Sequence, residues 1–153
     1  MRAVLQRVIE ARVTVDDTTV GEIGRGWLVL LGVGHGDSEA TALTLADKAA
    51  GLRCFEDAAG KTNLSAADVG AEWLVVSQFT LLADVSRGRR PGFTNAAPPE
   101  LANAVVDQFA ARLAALGFKV ASGRFGAHML VSLVNDGPFT MVLDESRVVS
   151  RES

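Results

Sequence analysis

Two apolar pentads constrain this chain more than any other feature. Trp27-Leu28-Val29-Leu30-Leu31 and Trp73-Leu74-Val75-Val76-Ser77 run without polar alternation until Ser77. A strand with one wet face alternates polar and apolar side chains, whereas a strand covered on both faces reads as a continuous run. The chain therefore needs packing material on both sides of these two strands. Helical periodicity supplies it. Ser38 suits an N-cap and Glu39 an acidic first turn, and Ala42, Leu45, Ala46, Ala49 and Leu52 then recur at helical spacing. A second helix is expected after Pro98-Pro99, with a stripe of Leu101, Val105, Phe109, Leu113 and Leu116 and a stop at Gly117.

The remaining elements read as strands. Residues 4–15 alternate roughly, then cleanly, and Asp16-Asp17 marks a hairpin turn into Thr18-Thr19-Val20. Gly24-Arg25-Gly26 and residues 57–61 read as turns. Phe118–Ala121, Met129–Val134 and Phe139–Leu143 read as the last strands. The order is β-β-β-α-β-α-β-β. It predicts an α+β domain, a mainly antiparallel curved or barrel-like β-sheet with two main helices. One domain over residues 1–145 accounts for the length, and the polar residues 146–153 are expected to fray.

Composition excludes several classes. At 48% hydrophobic and 22% charged residues, a chain of 153 residues builds a core and is not a disordered segment. The longest apolar run falls far short of the ~20 residues of a membrane helix, and charges at Arg2, Arg7, Glu10 and Arg12 interrupt any leader-like core. A single cysteine, Cys54, forms no internal disulfide, so a cytoplasmic location is expected. A net charge of −3 disfavours general DNA coating. No metal or cofactor is expected. His35 and His128 have no partners at metal-ligand spacing. Gly32-Val33-Gly34-His35-Gly36 lacks the Lys-Ser/Thr of a phosphate loop and reads as a strand-to-helix turn with glycines for positive φ. Cys54 reads as a small buried hydrophobe.

Three segments carry chemistry. Ser77-Gln78-Phe79-Thr80-Leu81 is a buried strand that abruptly turns polar. It is either a strand end with satisfied hydroxyls or a site offering backbone N–H groups and the Gln78 amide to a substrate oxygen. Arg87-Gly88-Arg89-Arg90-Pro91-Gly92-Phe93 is either a solvated loop or a phosphate-binding one, with Phe93 able to stack on a base or to join the core. Asn135-Asp136-Gly137-Pro138-Phe139-Thr140 reads as a hairpin turn, or as an exposed tip that presents main-chain carbonyls.

In order and at this length, Ser77–Leu81, Gly88-Arg89-Arg90-Pro91, Ala97-Pro98-Pro99-Glu100-Leu101 and Val131–Pro138 resemble the D-aminoacyl-tRNA deacylase family, from Met1 to about Asp144. The resemblance implies a homodimeric hydrolase that cleaves the ester between a D-amino acid, or glycine, and the tRNA 3′ end. It implies a catalytic segment of Ser77, Gln78, Phe79 and Thr80. It also implies chiral selection by a Gly-cis-Pro pair, Gly137-Pro138, reaching the partner subunit's site, with Asn135 beside it; Arg7, on the first strand, is either the anchor of that tip or a solvated strand residue. Arg87, Arg89, Arg90 and Phe93 would contact tRNA phosphates or bases. Leu82, Gly92, His128 and Phe139 depart from residues common in the family. Within this reading the Phe79 and Thr80 amides stabilise the oxyanion with help from Gln78, and a Thr80 nucleophile is the rival. The contrasting class is a non-catalytic nucleic-acid-binding module.

Overall fold

The two pentads become adjacent parallel strands, with Trp27 opposite Trp73 and Leu31 opposite Ser77. In a computed structural model describing residues 1–145 and Val148, they are β3 (Gly26–Gly32) and β6 (Glu72–Ser77). A parallel pair needs a crossover. Here it runs through α1 (Glu39–Gly51), a two-stranded ribbon of β4 (Phe55–Glu56) and β5 (Thr62–Leu64), and the single-turn α2 (Ala66–Val69). A second crossover, through α3 (Pro99–Ala115), carries β6 to its parallel neighbour β7 (Val120–Ser122). Around these lie β1 (Arg2–Val15), β2 (Thr18–Ile23) and β8 (Leu130–Asp144). The long β1 pairs antiparallel with β3 through its first half, with β2 through its second half, and with β8 along its other edge. Asp16 and Asp17, both at positive φ, turn β1 into β2.

Both faces of the central strands are dry, as the pentads require. Trp27, Val29, Leu31, Trp73 and Val75 pack with Phe109 and Leu113 of α3 and Leu45 of α1. Leu28, Leu74 and Val76 point the other way, into a cluster with Val8, Val13 and Ile23. This second cluster fills a nearly closed barrel. Its outermost strands, β2 and β7, approach so closely that a Cβ at Gly21 would lie 2.5 Å from the Ser122 carbonyl oxygen. Fully buried aromatic and aliphatic side chains of this size each contribute about 1.5–3 kcal/mol.

The α+β, barrel-like expectation holds, with differences in detail. The pairing is mixed, because both crossovers make parallel neighbours. The ends of the second helical stripe, Leu101 and Leu116, are exposed, while Ala102 and Val106 are buried. Ala66–Val69 is a helix, capped by Ser65, whose hydroxyl accepts from the Asp68 amide. Of the loop glycines, only Gly36 has positive φ; Gly32 and Gly34 do not. The tail expected to fray lies, except for Val148, outside the described residues.

The clearest correction concerns Asn135–Phe139. It is not a hairpin turn between two strands. β8 runs on as one strand along β1, pairing Thr140 with Gln6 and Asn135 with Val8. Five steps of β8 therefore oppose two of β1, and the surplus is extruded as a bulge opposite Arg7. Proline has no N–H for a ladder, so the chain leaves the sheet there and rejoins the same neighbour.

Candidate functional site

β3 and β6 end at the same rim, where the carboxyl ends of parallel strands commonly offer a binding crevice. A cavity of about 720 Å³ opens there. Ser77 closes β6 and lines it, followed by Gln78 and Phe79. Across from them lie Phe93, the Ala97-Pro98-Pro99 start of α3, and the loop that brings Phe125, His128 and Met129. Its floor is the open end of the barrel interior, through Val76 and Val131. Among the described residues the lining contains no Asp, Glu, Lys or Arg, and its ionisable side chains are His35 and His128. His35 is tied through Nε2 to the Thr94 carbonyl at 2.7 Å. Since a carbonyl only accepts, that nitrogen carries the proton.

After Ser77 the chain tightens into a 3₁₀ turn over Phe79–Leu82. The Gln78 amide donates back to the Leu31 carbonyl at 2.9 Å. The Leu81 and Ala83 amides donate to Gln78 and Thr80 carbonyls within the turn. Among the described residues, no hydrogen bond engages the amides of Phe79 or Thr80. They are the orphan donors that the start of any helical turn leaves. The Gln78 side-chain amide donates to Thr80 Oγ1 at 2.5 Å. The Phe79 ring is half exposed and meets the Phe93 ring edge-on, centroids 5.0 Å apart.

Phe93 leaves the arginine loop at its base. Asp84 and Gly92 exchange backbone hydrogen bonds of 2.7 and 2.9 Å, closing residues 85–91 into a projecting finger. Asp84 also accepts from the Ser86 amide through its side chain, and the Ser86 hydroxyl together with that amide holds its carboxyl below the usual range. Arg87, Arg89 and Arg90 are exposed on the finger, and none is in an ion pair among the described residues.

The bulge is built separately, about Arg7. This arginine is only 6% exposed, so it is not a solvated strand residue. Its Nε donates to the Asp136 carbonyl at 3.0 Å and one terminal nitrogen to the Cys54 carbonyl at 2.6 Å. Its guanidinium also lies over the Phe139 ring. Asn135 staples the bulge from within. Its amide nitrogen donates to the carbonyls of Arg7 and Phe139, and its oxygen accepts from the Phe139 amide. With its polar atoms so occupied, Asn135 shapes the bulge. The Gly137–Pro138 peptide is cis. None of Asn135–Phe139 lines the cavity of its own chain. Cys54 is buried, as expected, and burial pushes its thiol up against the opposing pull of Arg7.

Thus Ser77, Gln78, Phe79 and Phe93 share one cavity, and Thr80 adjoins it through Gln78. The three arginines stand outside it, and Arg7, Asn135, Gly137 and Pro138 form a second centre. Sequence reasoning missed His35, Phe125, His128 and Met129 as lining residues. They come from two loops some ninety residues apart, and no local spacing ties them together. Among the described residues there is no group of three or more His, Cys, Asp or Glu able to hold a metal ion, and no helix is long and apolar enough to cross a membrane.

Comparison with known proteins fits this arrangement. The profile of the D-Tyr-tRNA(Tyr) deacylase family matches residues 4–144. A D-aminoacyl-tRNA deacylase of Thermomicrobium roseum is 61% identical over 148 residues, covering 97% of this chain and 96% of that one. Another, from Roseiflexus sp. strain RS-1, is 60% identical over 146 residues, covering 95% and 94%. The solved structure of a c-Myc DNA unwinding element binding protein superposes with a TM-score of 0.88 at 40% identity, covering 94% of this chain and 98% of that one. With the family profile spanning both the cavity and the bulge, the chain belongs to the D-aminoacyl-tRNA deacylase family.

Proposed function

We propose that this chain hydrolyses the ester joining a D-amino acid to the 3′ end of tRNA, in the cytoplasm and without a metal or cofactor, and that it spares L-aminoacyl esters. The observation that carries the chemistry is the pair of unengaged amides, Phe79 and Thr80, at the rim of the cavity. An activated ester needs a positioned water and donors for the oxyanion. One such donor is worth about 3 kcal/mol. The lining holds no carboxylate or lysine, and in this reading the terminal ribose 2′-OH, rather than His35 or His128, orients the water. Thr80 is a poor nucleophile here. Its hydroxyl oxygen accepts from the Gln78 amide, a group that cannot take a proton.

Chirality is judged by the main chain of Gly137-Pro138. Recognition of α-substituents through backbone leaves the D side chain free and confronts an L side chain with polypeptide. The bulge does not line its own cavity, so it serves the cavity of a second copy in a homodimer. A face for that copy exists on β1 and β8, where Ile9, Leu130 and Val134 are exposed at 57%, 59% and 45%. The arginine finger, with Phe93 at its base, holds the phosphates of the tRNA strand. Glycyl-tRNA, lacking a side chain to exclude, is also a substrate.

The test incubates the protein with matched D-, L- and glycyl-tRNA and follows ester loss. D and glycyl esters should disappear and L esters persist. Loss of none of them would make the chain a binding module. DNA-element binding belongs to the name of the solved relative; the net charge of −3 and a single arginine cluster argue against it here.

A further inference from the structure

We propose that Arg2 and Gly32 are positioning residues of the deacylation site: a brace and a floor that together set where the Phe79 and Thr80 amides stand. The two residues are register partners across β1 and β3, and both act on the same 3₁₀ turn. Arg2 reaches it from the strand end, one terminal nitrogen donating to the Leu81 carbonyl at 2.8 Å. A helical turn this short leaves its last carbonyls without partners, and a cation suits that end. Gly32 acts from below. Its φ is not positive, so conformational freedom does not explain it. Proximity does: a Cβ there would stand 2.4 Å from Leu82 Cδ2, 3.0 Å from Leu81 Cβ and 3.1 Å from the Gln78 carbonyl oxygen. All three atoms belong to the turn or its cap. The turn rests on bare backbone and is tied down from the side.

This inference depends on the reading that the ester carbonyl lies against the Phe79 and Thr80 amides. Under it, a shift of the turn misplaces the oxyanion donors without removing any substrate-binding surface. Misplacement near 1 Å costs up to about 100-fold in rate. Arg2 is exposed and its hydrogen bond contributes little to global stability, so a kinetic readout separates positioning from folding.

The experiment measures kcat, KM and melting temperature for Arg2→Gln, Arg2→Lys and Gly32→Ala on a D-aminoacyl-tRNA. Arg2→Gln should lose about 10- to 100-fold in kcat with KM and melting temperature nearly unchanged, Arg2→Lys should recover part, and Gly32→Ala should repeat the kcat loss. A wild-type kcat in Arg2→Gln, or a change in KM alone, overturns the proposal. If Gly32→Ala fails to fold, the Arg2 pair decides. Comparing Phe79→Pro with Phe79→Ala separates the two layers, because only the former removes the amide donor, at a helix position that tolerates proline. Equal rates in that pair would discard the oxyanion reading and this inference with it. A dead Phe79→Pro beside a fully active Arg2→Gln would discard the brace alone.

Discussion

The guanidinium of Arg7 lies 4.4 Å from the centroid of the Phe139 ring, while the same group donates to the carbonyls on either side of it in space, Asp136 and Cys54. A buried cation thus fastens the bulge to the body of the domain. Arg7→Met keeps the volume but abandons two carbonyls. We expect a loss of about 3 kcal/mol in urea unfolding. Arg7→Lys should recover only part, since an ammonium cannot reproduce the fork. Discrimination between D and L esters should fall in both variants.

Gly137→Ala addresses the bulge without touching its anchor. A Cβ there would stand 2.2 Å from the Phe139 nitrogen and 2.9 Å from its Cβ. The local backbone must move. The expected outcome is weakened D/L selectivity, read as new hydrolysis of L-aminoacyl-tRNA or lost hydrolysis of the D ester. Wild-type selectivity in this variant would remove the bulge from the recognition step.

Thr80→Ala tests covalent catalysis. With amides as the oxyanion donors, turnover should stay within about tenfold of wild type. A nucleophile's removal would instead cost on the order of 10⁴-fold or more. A companion substrate ending in 2′-deoxyadenosine should react far more slowly if the ribose hydroxyl assists.

Replacing Arg87, Arg89 and Arg90 together by alanine should raise KM for aminoacyl-tRNA and leave kcat intact. The slope of log affinity against log salt should shrink by roughly one for each phosphate that is no longer neutralised. Hydrolysis of a minimal aminoacyl-adenosine should not change. If it falls equally, the finger shapes the cavity instead of holding the strand.

Glu72 sets an acid limb on stability. The Gly24 amide, donating to Oε1 at 2.7 Å, holds its pKa below the ordinary 4.5, with Lys119 assisting. A carboxyl depressed in the folded state stabilises it above the unfolded pKa and ceases to do so as pH falls through the lower folded value. Glu72→Gln should therefore cost roughly 1 kcal/mol at neutral pH, after discounting for its partial exposure. The two proteins should begin to converge in unfolding experiments as pH falls below about 4.3 and should meet only below the lower folded pKa of Glu72.

How much of this is legible in the residues alone depends on range. The pentads announce their burial because two dry faces impose a residue-by-residue demand. Ser38 and Pro98-Pro99 mark helix starts because capping chemistry is local. The bulge reads as a hairpin because Asn-Asp-Gly-Pro is turn chemistry in either setting. Only the register of β8 on β1, which is non-local, tells them apart. Gly32 misleads for the same reason: a glycine needed for close approach looks identical to one needed for a turn until Leu82 is seen above it. The Ser77–Thr80 run is visible as a polar break in an apolar strand. The cavity it faces is not, since Phe125 and Met129 arrive from a loop some fifty residues later.

Arg2 and Arg7, which hold the backbone of the proposed site, are both mounted on β1, one gripping the turn after β6 and the other the bulge of β8. Strand side chains change face at every residue. Adding or deleting one residue between these positions would leave no more than one of them on its target. Over this stretch the spacing of the chain matters as much as any side chain in it, and an indel here should cost activity even where the rest of the fold survives.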